Sequence, residues 1–200
     1  LNKVILEAEL KDGTKITGQR NVFLAELSQL KKIYLKPHGT ANPNAVKAIL
    51  EADAVVIGPG EFYTSIIPNL LVKGIPEAIQ KTKAKRIYVC NLMKRREHTN
   101  GFTVEDFAET IQKYIGCKLD AVIFNNKKPE NALIKRYARE GEYPVDIFVP
   151  QKTNESKISY IGGDLLNKKI ITPKKGDLIK RNLIRHNPDK LAELILKFLN

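Results

Sequence analysis

The chain has 200 residues, with 34 Lys and Arg against 22 Asp and Glu for a formal net charge of +12, and 42% of its residues are hydrophobic. That length suits one domain, and that hydrophobic share supplies a core of ordinary size, which excludes a disordered chain. The charge favours anionic partners, and the sequence has neither an apolar run of about 18 residues nor a signal-peptide pattern, so a soluble cytoplasmic protein with no membrane partner is expected.

Val4 to Leu10 alternates in polarity, Asp12-Gly13 is a turn signal, and Thr14 to Thr17 returns, which predicts a two-stranded ribbon occupying residues 1–20. Ile33 to Leu35 reads as a short strand that begins an alternation of strands and helices. Asn42-Pro43 opens a helix through a capping side chain followed by proline, and Val46, Ile49 and Leu50 share one of its faces.

Ala54, Val55, Val56 and Ile57 form a short apolar run that ends at Gly58-Pro59-Gly60, the pattern of a buried parallel strand running into a loop. Gly58 and Gly60 permit unusual dihedrals and a close approach of the main chain to a ligand. Thr64 and Ser65 supply hydroxyls and N–H groups where the next helix should start. Such a loop suits an anion, although it matches neither a Walker loop nor a dinucleotide fingerprint, and a plain capped turn is an equal reading of it.

Ser65 to Leu71 and Ile75 to Thr82 are predicted helices, and Arg86 to Cys90 is the next strand, with Asn91 at its carboxyl end. Ligands of open α/β sheets lie beyond the carboxyl ends of strands, so Gly58 to Ser65 and Asn91 to Thr103 should line one crevice. Thr103 and Asp106 form a capping box for a helix with Val104, Phe107, Ala108, Ile111 and Ile115 along its apolar stripe, ending at Gly116.

Leu119 to Phe124 is a strand with Asn125 and Asn126 at its edge, Asn131 to Glu140 a helix, and Val145 to Val149 a strand. Gln151 to Lys175 is polar and lysine-rich and reads as peripheral, with Gly162-Gly163-Asp164 as a turn. Asn187-Pro188 repeats the cap-then-proline opening of a terminal amphipathic helix carrying Leu191, Leu194, Ile195 and Phe198. The fold class is therefore α/β: one domain over 1–200 with a Rossmann-like, doubly wound, mainly parallel sheet and a small β-hairpin lobe.

Cys90 and Cys117 end apolar stretches far apart in sequence, which suits buried reduced thiols better than a disulfide or a metal site. The basic residues come in short groups interrupted by acids and apolar positions. No recognition helix, zinc finger or aromatic RNA-binding signature accompanies them, so nucleic acid is the weakest of the anionic partners.

The run from Ala52 to Ile79 (ADAVVIGPGEFYTSIIPNLLVKGIPEAI), with Tyr88 to Met93 (YVCNLM), AELKDGTKITG near the start and RHNPDKLAE near the end, resembles the family of the bacterial gluconeogenesis factor and the archaeal 2-phospho-L-lactate transferase. The local match is closer to the bacterial branch, which carries Gly-Pro-Gly-Ser-Leu-Tyr-Thr-Ser-Ile. This resemblance implies a nucleotide-binding α/β protein. The transferase branch moves a phospholactyl group from a guanosine diphosphate conjugate to a deazaflavin with magnesium, and the bacterial branch is linked to uridine-diphospho-sugar binding, carbon-flux control and cell morphogenesis. Relatives carry a Gly-Gly-Gly-Thr-Gly loop and an Asp-Asp-Gly-Gly segment before the point at which this chain starts. The resemblance thus places the first half of the nucleotide site outside these 200 residues.

Relatives read Asn-Leu-Met-Thr-Gln-Pro-Gly-Glu-Thr-Asp-Gly-Tyr-Thr where this chain has NLMKRREHTNGFT. Lys94, Arg95, Arg96 and Glu97 replace Thr-Gln-Pro-Gly, and His98 and Asn100 replace a glutamate and an aspartate. The change favours a phosphate and weakens a metal or general-base role. His98 itself is read as an exposed loop residue without a catalytic partner.

Three readings follow. The first is a nucleotide or nucleotide-sugar binding factor, with Gly58, Pro59, Gly60, Tyr63, Thr64, Ser65, Asn69, Asn91, Arg95 and Thr99 as candidate ligand-binding residues and no metal ligands. Main-chain N–H groups would hold the diphosphate, Tyr63 would stack on a ring or pack in the core, and Asn91 would bond a sugar or base. The second is a magnesium-dependent transferase, ranked lower because Glu61 and Asp53 are the acids left near the loop and no catalytic residues can be assigned. The third is a nucleic-acid binder resting on charge alone. A second copy of the chain, as a homodimer, remains an open partner.

Overall fold

The computed structural model describes residues 3–149, 158–167 and 183–200. Three sheets organise them. β1 (Ile5–Leu10) pairs antiparallel with β2 (Lys15–Thr17) across the Asp12-Gly13 turn and, on its other edge, with β3 (Leu30–Lys36), giving the order β2-β1-β3. The expected two-stranded ribbon is therefore a three-stranded lobe. The Ile33 strand belongs to it and not to the main sheet, because Ile33 and Leu35 bury their side chains with Leu6 and Ala8 on the same face. A helix absent from the sequence reading, α1 (Gln19–Leu24), links β2 to the rest of the lobe.

The main sheet is parallel, in the order β4-β5-β7-β9. β4 (Ala54–Ile57) and β5 (Lys85–Val89) are joined by a single π-helical turn at Phe62–Ile66, followed by α3 (Ile67–Leu70) and α4 (Ile75–Lys81). α2 (Pro43–Glu51) precedes β4, and its first turn is capped by the Asn42 side chain, which accepts from the Asn44 N–H at 2.9 Å. α6 (Val104–Ile115) starts at the Thr103–Asp106 capping box and ends at Gly116, whose φ of +70° is the left-handed conformation that glycine adopts without strain. It leads to β7 (Ala121–Asn125).

Strand alternation gives the sheet two apolar faces. Tyr88, Cys90, Val122 and Phe124 face α6, where Phe107, Ala108, Ile111 and Ile115 are buried. Ile87, Ala121 and Ile123 face the other way, onto Leu191, Leu194, Ile195 and Phe198 of α8 (Pro188–Leu199). The α/β class with a small antiparallel lobe is thus as expected, with helices on both faces. Cys90 is buried and Cys117 half-buried, and both are free thiols.

β9 (Ser159–Gly163) overturns the reading of Gly162-Gly163-Asp164 as a turn in a peripheral segment. The two glycines finish a sheet strand in register with Phe124 and Asn125. A Cβ on Gly162 would stand 2.8 Å from the Phe124 ring, and one on Gly163 would stand 2.6 Å from Leu194 Cδ1. The glycines answer to close packing, a use that looks like a turn in composition. The remainder of that segment, 151–157 and 168–175, lies outside the described residues.

Two short strands, β6 (Met93–Arg95) and β8 (Glu142–Pro144), pair antiparallel over the carboxyl edge of the sheet. Between them in sequence lie α5 (Arg96–Thr99) and α7 (Asn131–Ala138). The predicted strand at Val145–Val149 is not formed. The Val145 N–H donates to Leu92 O and Asp146 O accepts from the Val104 N–H, so this backbone is satisfied by loops and not by a ladder.

Candidate functional site

β4 and β5 end side by side, and the loops that leave them meet at one cavity of about 430 Å³. Pro59, Gly60 and Glu61 enter it from the end of β4, Asn91 from the end of β5, Met93 and Arg95 from β6, and Thr99 from α5. Phe23 of α1, Tyr137 of α7 and Glu142 of β8 complete one side, and Arg185 and His186 approach from just ahead of α8.

Gly58 has a φ of +81°, and a Cβ there would lie 2.9 Å from the Val89 carbonyl oxygen, so only glycine lets the β4 loop turn against β5. Asn91 then ties the two loops. Its Nδ2 donates to Gly60 O at 2.7 Å and its Oδ1 accepts from the Tyr88 hydroxyl at 3.3 Å. Asn91 lines the cavity with its amide already engaged in holding the glycine loop.

Glu61 occupies the place at the helix start that an anion could take. Its Oε2 accepts from the Thr64 N–H at 3.1 Å and from the Thr64 hydroxyl at 3.0 Å, and its backbone carbonyl accepts from the Ser65 and Ile66 N–H groups. Its Oε1 lies 3.0 Å from His98 Nδ1. Burial alone would raise the Glu61 pKa, but the His98 and Thr64 bonds outweigh it and hold the carboxyl below its ordinary 4.5. His98, read as exposed from its loop of charged residues, is fully buried at its side chain, because α5 folds back under the Phe23 and Tyr63 rings.

The cations in this cavity come from side chains. Arg95 stacks on Phe23 at 4.1 Å and donates from Nη1 to the Phe23 carbonyl at 3.3 Å, while its backbone N–H donates to the Thr99 hydroxyl at 3.1 Å. The Nε atoms of Arg95 and Arg185 and the Nε2 of His186 are buried without a hydrogen-bond partner. Desolvation holds the His186 pKa below its ordinary 6.5, against the effect of a bond to the Cys90 backbone, so the imidazole is neutral near neutral pH.

Of the sequence candidates, Pro59, Gly60, Asn91, Arg95 and Thr99 share this cavity. Gly58, Ser65 and Asn69 line a separate one of about 670 Å³ on the open side of β4, which Pro59 and Gly60 also border. Tyr63 and Thr64 are buried, Tyr63 edge-on to Phe62. Sequence reasoning missed Phe23, Tyr137, Arg185 and His186. The signal for the last two was a basic pair directly ahead of the Asn187-Pro188 cap.

Among the described residues no group of three or more His, Cys, Asp or Glu is placed to hold a metal ion. Glu61 has both oxygens committed, so these residues do not make a magnesium site by themselves.

A parallel α/β sheet whose strand ends frame a cavity edged by arginine and histidine side chains defines a Rossmann-like α/β protein. Residues 1–166 match the sequence model of the family described as 2-phospho-L-lactate transferase CofD, and the chain belongs to that family. A putative gluconeogenesis factor of Nostoc sp. is 37% identical over 99% of this chain and 41% of its own length. A second, from Thermotoga maritima, is 35% identical over 95% and 57%, and the gluconeogenesis factor of Bacillus subtilis is 31% identical over 98% and 58%. A crystal structure of a Bacillus halodurans protein superposes with a TM-score of 0.82 at 31% identity, covering 98% of this chain and 59% of that one. The chain spans roughly half the length of the curated relatives that it matches.

Proposed function

We propose that this chain supplies the phosphate-clamping part of a nucleotide-conjugate binding factor, with a nucleoside diphospho-sugar of the uridine type as its ligand and regulation of carbon metabolism and cell shape as its consequence. The observation that carries this is the convergence of Arg95, Arg185 and His186 on the cavity framed by Gly60 and Asn91. Arg185 Nε and His186 Nε2 are buried without a hydrogen bond and Arg95 Nε has only Glu97 at 3.9 Å, which is costly, and a diphosphate offers acceptors to the arginines and to the imidazole once it is protonated. Support also comes from the relatives, which carry the name gluconeogenesis factor. A cytoplasmic setting suits such a ligand.

A second reading, magnesium-dependent transfer of a phosphate-ester group from a nucleotide conjugate, is favoured by the family description. It needs carboxylates beyond those described here.

The test is a thermal-shift and calorimetric comparison of uridine and guanosine diphosphate conjugates, with and without magnesium. Arg185→Ala and Arg95→Ala should each weaken binding about 10- to 100-fold, the loss expected for a charge-assisted bond to phosphate. Stabilisation without turnover supports the first reading. Magnesium-dependent product formation supports the second, and binding indifferent to both arginines overturns the site.

A further inference from the structure

The antiparallel lobe reaches the loops of the first cavity at three places. Gln19 Nε2 donates to Thr64 O in the π-helical turn at 2.8 Å, the Leu27 N–H donates to Glu97 O in α5 at 2.7 Å, and the Phe23 ring lies under the Arg95 guanidinium at 4.1 Å. Gln19 and Phe23 stand four residues apart on α1, so one face of that helix carries both contacts. Val22 beside them is fully buried and seats α1 in the core.

Phe23 is not a core residue. It keeps 37% of its surface exposed and borders a cavity edged by arginines, where burial alone gives little reason for an aromatic ring. Arg95 meets it twice, with the guanidinium over the ring and Nη1 donating to the Phe23 carbonyl at 3.3 Å, while Glu97 approaches Arg95 Nε at 3.9 Å. A long side chain held at three points before a ligand arrives has less rotamer freedom left to lose on binding, and a planar guanidinium offers a fork of donors that a lysine cannot copy.

We propose that Phe23 is a positioning residue for the anion clamp: α1 holds the Arg95 guanidinium at the cavity edge in its binding geometry, so the antiparallel lobe sets the affinity for a diphosphate through a residue that makes no polar side-chain contact of its own. That role rests on the first cavity binding an anion, and it makes the lobe part of the site and not a peripheral ribbon. Were Phe23 a packing residue of the lobe alone, its loss would lower stability and leave Arg95 and the bound anion unaffected.

Two measurements on the intact chain test this. In the free protein the Phe23 ring current should shift the Arg95 side-chain protons upfield in the NMR spectrum, a shift kept in Phe23→Tyr and lost in Phe23→Leu. In calorimetry with pyrophosphate, Phe23→Leu should weaken binding about two- to fivefold, the size of a part-exposed cation–π pair, and Phe23→Tyr should restore it. Arg95→Lys, which keeps the charge without the stacked fork, should lose at least as much. On an Arg95→Ala background Phe23→Leu should cost nothing further. An Arg95 spectrum unchanged by Phe23→Leu overturns the proposal, as does a loss of affinity from Phe23→Leu that is the same with and without Arg95→Ala, or an affinity that drops with Arg95→Ala and not with Phe23→Leu. Pyrophosphate bound equally by wild type and Arg95→Ala would instead overturn the anion reading itself, and this role with it.

Discussion

His98 Nδ1 and Glu61 Oε1 lie 3.0 Å apart, joining α5 to the π-helical turn at the wall of the first cavity. The pair does structural work. Removing the imidazole leaves a half-buried carboxylate with one oxygen unanswered, so His98→Ala should cost about 2 kcal/mol, or roughly 4–8 °C in Tm for a chain of this size. Glu61→Gln, which keeps an acceptor, should cost less than half of that. The sign of the pH dependence follows from the depressed Glu61 pKa. Its contribution is full above 4.5 and is lost as pH falls through the lower folded value. Urea titrations of wild type and His98→Ala should therefore converge on acidification below that point. A constant gap between them would show that the pair carries no such energy.

Gly58→Ala should be far worse than Gly60→Ala. At Gly58 both the φ of +81° and the 2.9 Å approach to the Val89 carbonyl oppose a side chain, and the clashing atom is backbone that cannot swing away. A loss on the order of 2–3 kcal/mol is expected. At Gly60 the nearest atom is Ile66 Cγ1 at 3.3 Å and φ is not positive, so a small side-chain shift suffices. Equal melting temperatures for the two variants would refute the account.

This contrast marks what the sequence could reveal. Strong local chemistry was legible: the Asn42, Thr103 and Asn187 caps, the Gly116 stop and the strand ending at Gly58 all stand where side-chain hydrogen bonds and dihedrals place them. Long-range choices were not. Nothing local tells Ile33 to pair with Ala8, nor tells Gly162 to accept the Phe124 ring instead of turning the chain. The candidate site was legible where one loop made it and hidden where Arg185 and His186 arrive from nearly a hundred residues beyond Asn91. His98 was misread because a charged neighbourhood in sequence says little about which side faces inward.

Asn91→Leu tests whether the loop tether matters more to binding than to folding. The substitution leaves the Gly60 carbonyl without its 2.7 Å donor, at a cavity wall where water can replace it. Stability should fall by about 1 kcal/mol, while nucleotide-conjugate affinity should fall about tenfold or more, because the β4 loop is no longer held in its binding geometry. Comparing Tm with Kd separates the two. Unchanged Kd would mean the loop needs no tether.

His186 gives the test that speaks most directly to an anion in the first cavity. In the free protein its pKa lies below 6.5 because it is desolvated, so between that value and 6.5 the unfolded chain binds more protons than the folded one. Stability of the free protein should thus drop as pH falls through this window, and His186→Asn should flatten that slope. A phosphate beside the imidazole favours its charged form and raises the pKa, so ligand binding must take up a proton, and affinity must rise as pH falls through the same window. Calorimetry near pH 6.5 in buffers of different ionisation enthalpy reads the uptake. It should disappear in His186→Asn and persist in His98→Gln. Wild-type binding with no proton uptake would place the phosphate away from His186 and leave the arginines as its only clamps.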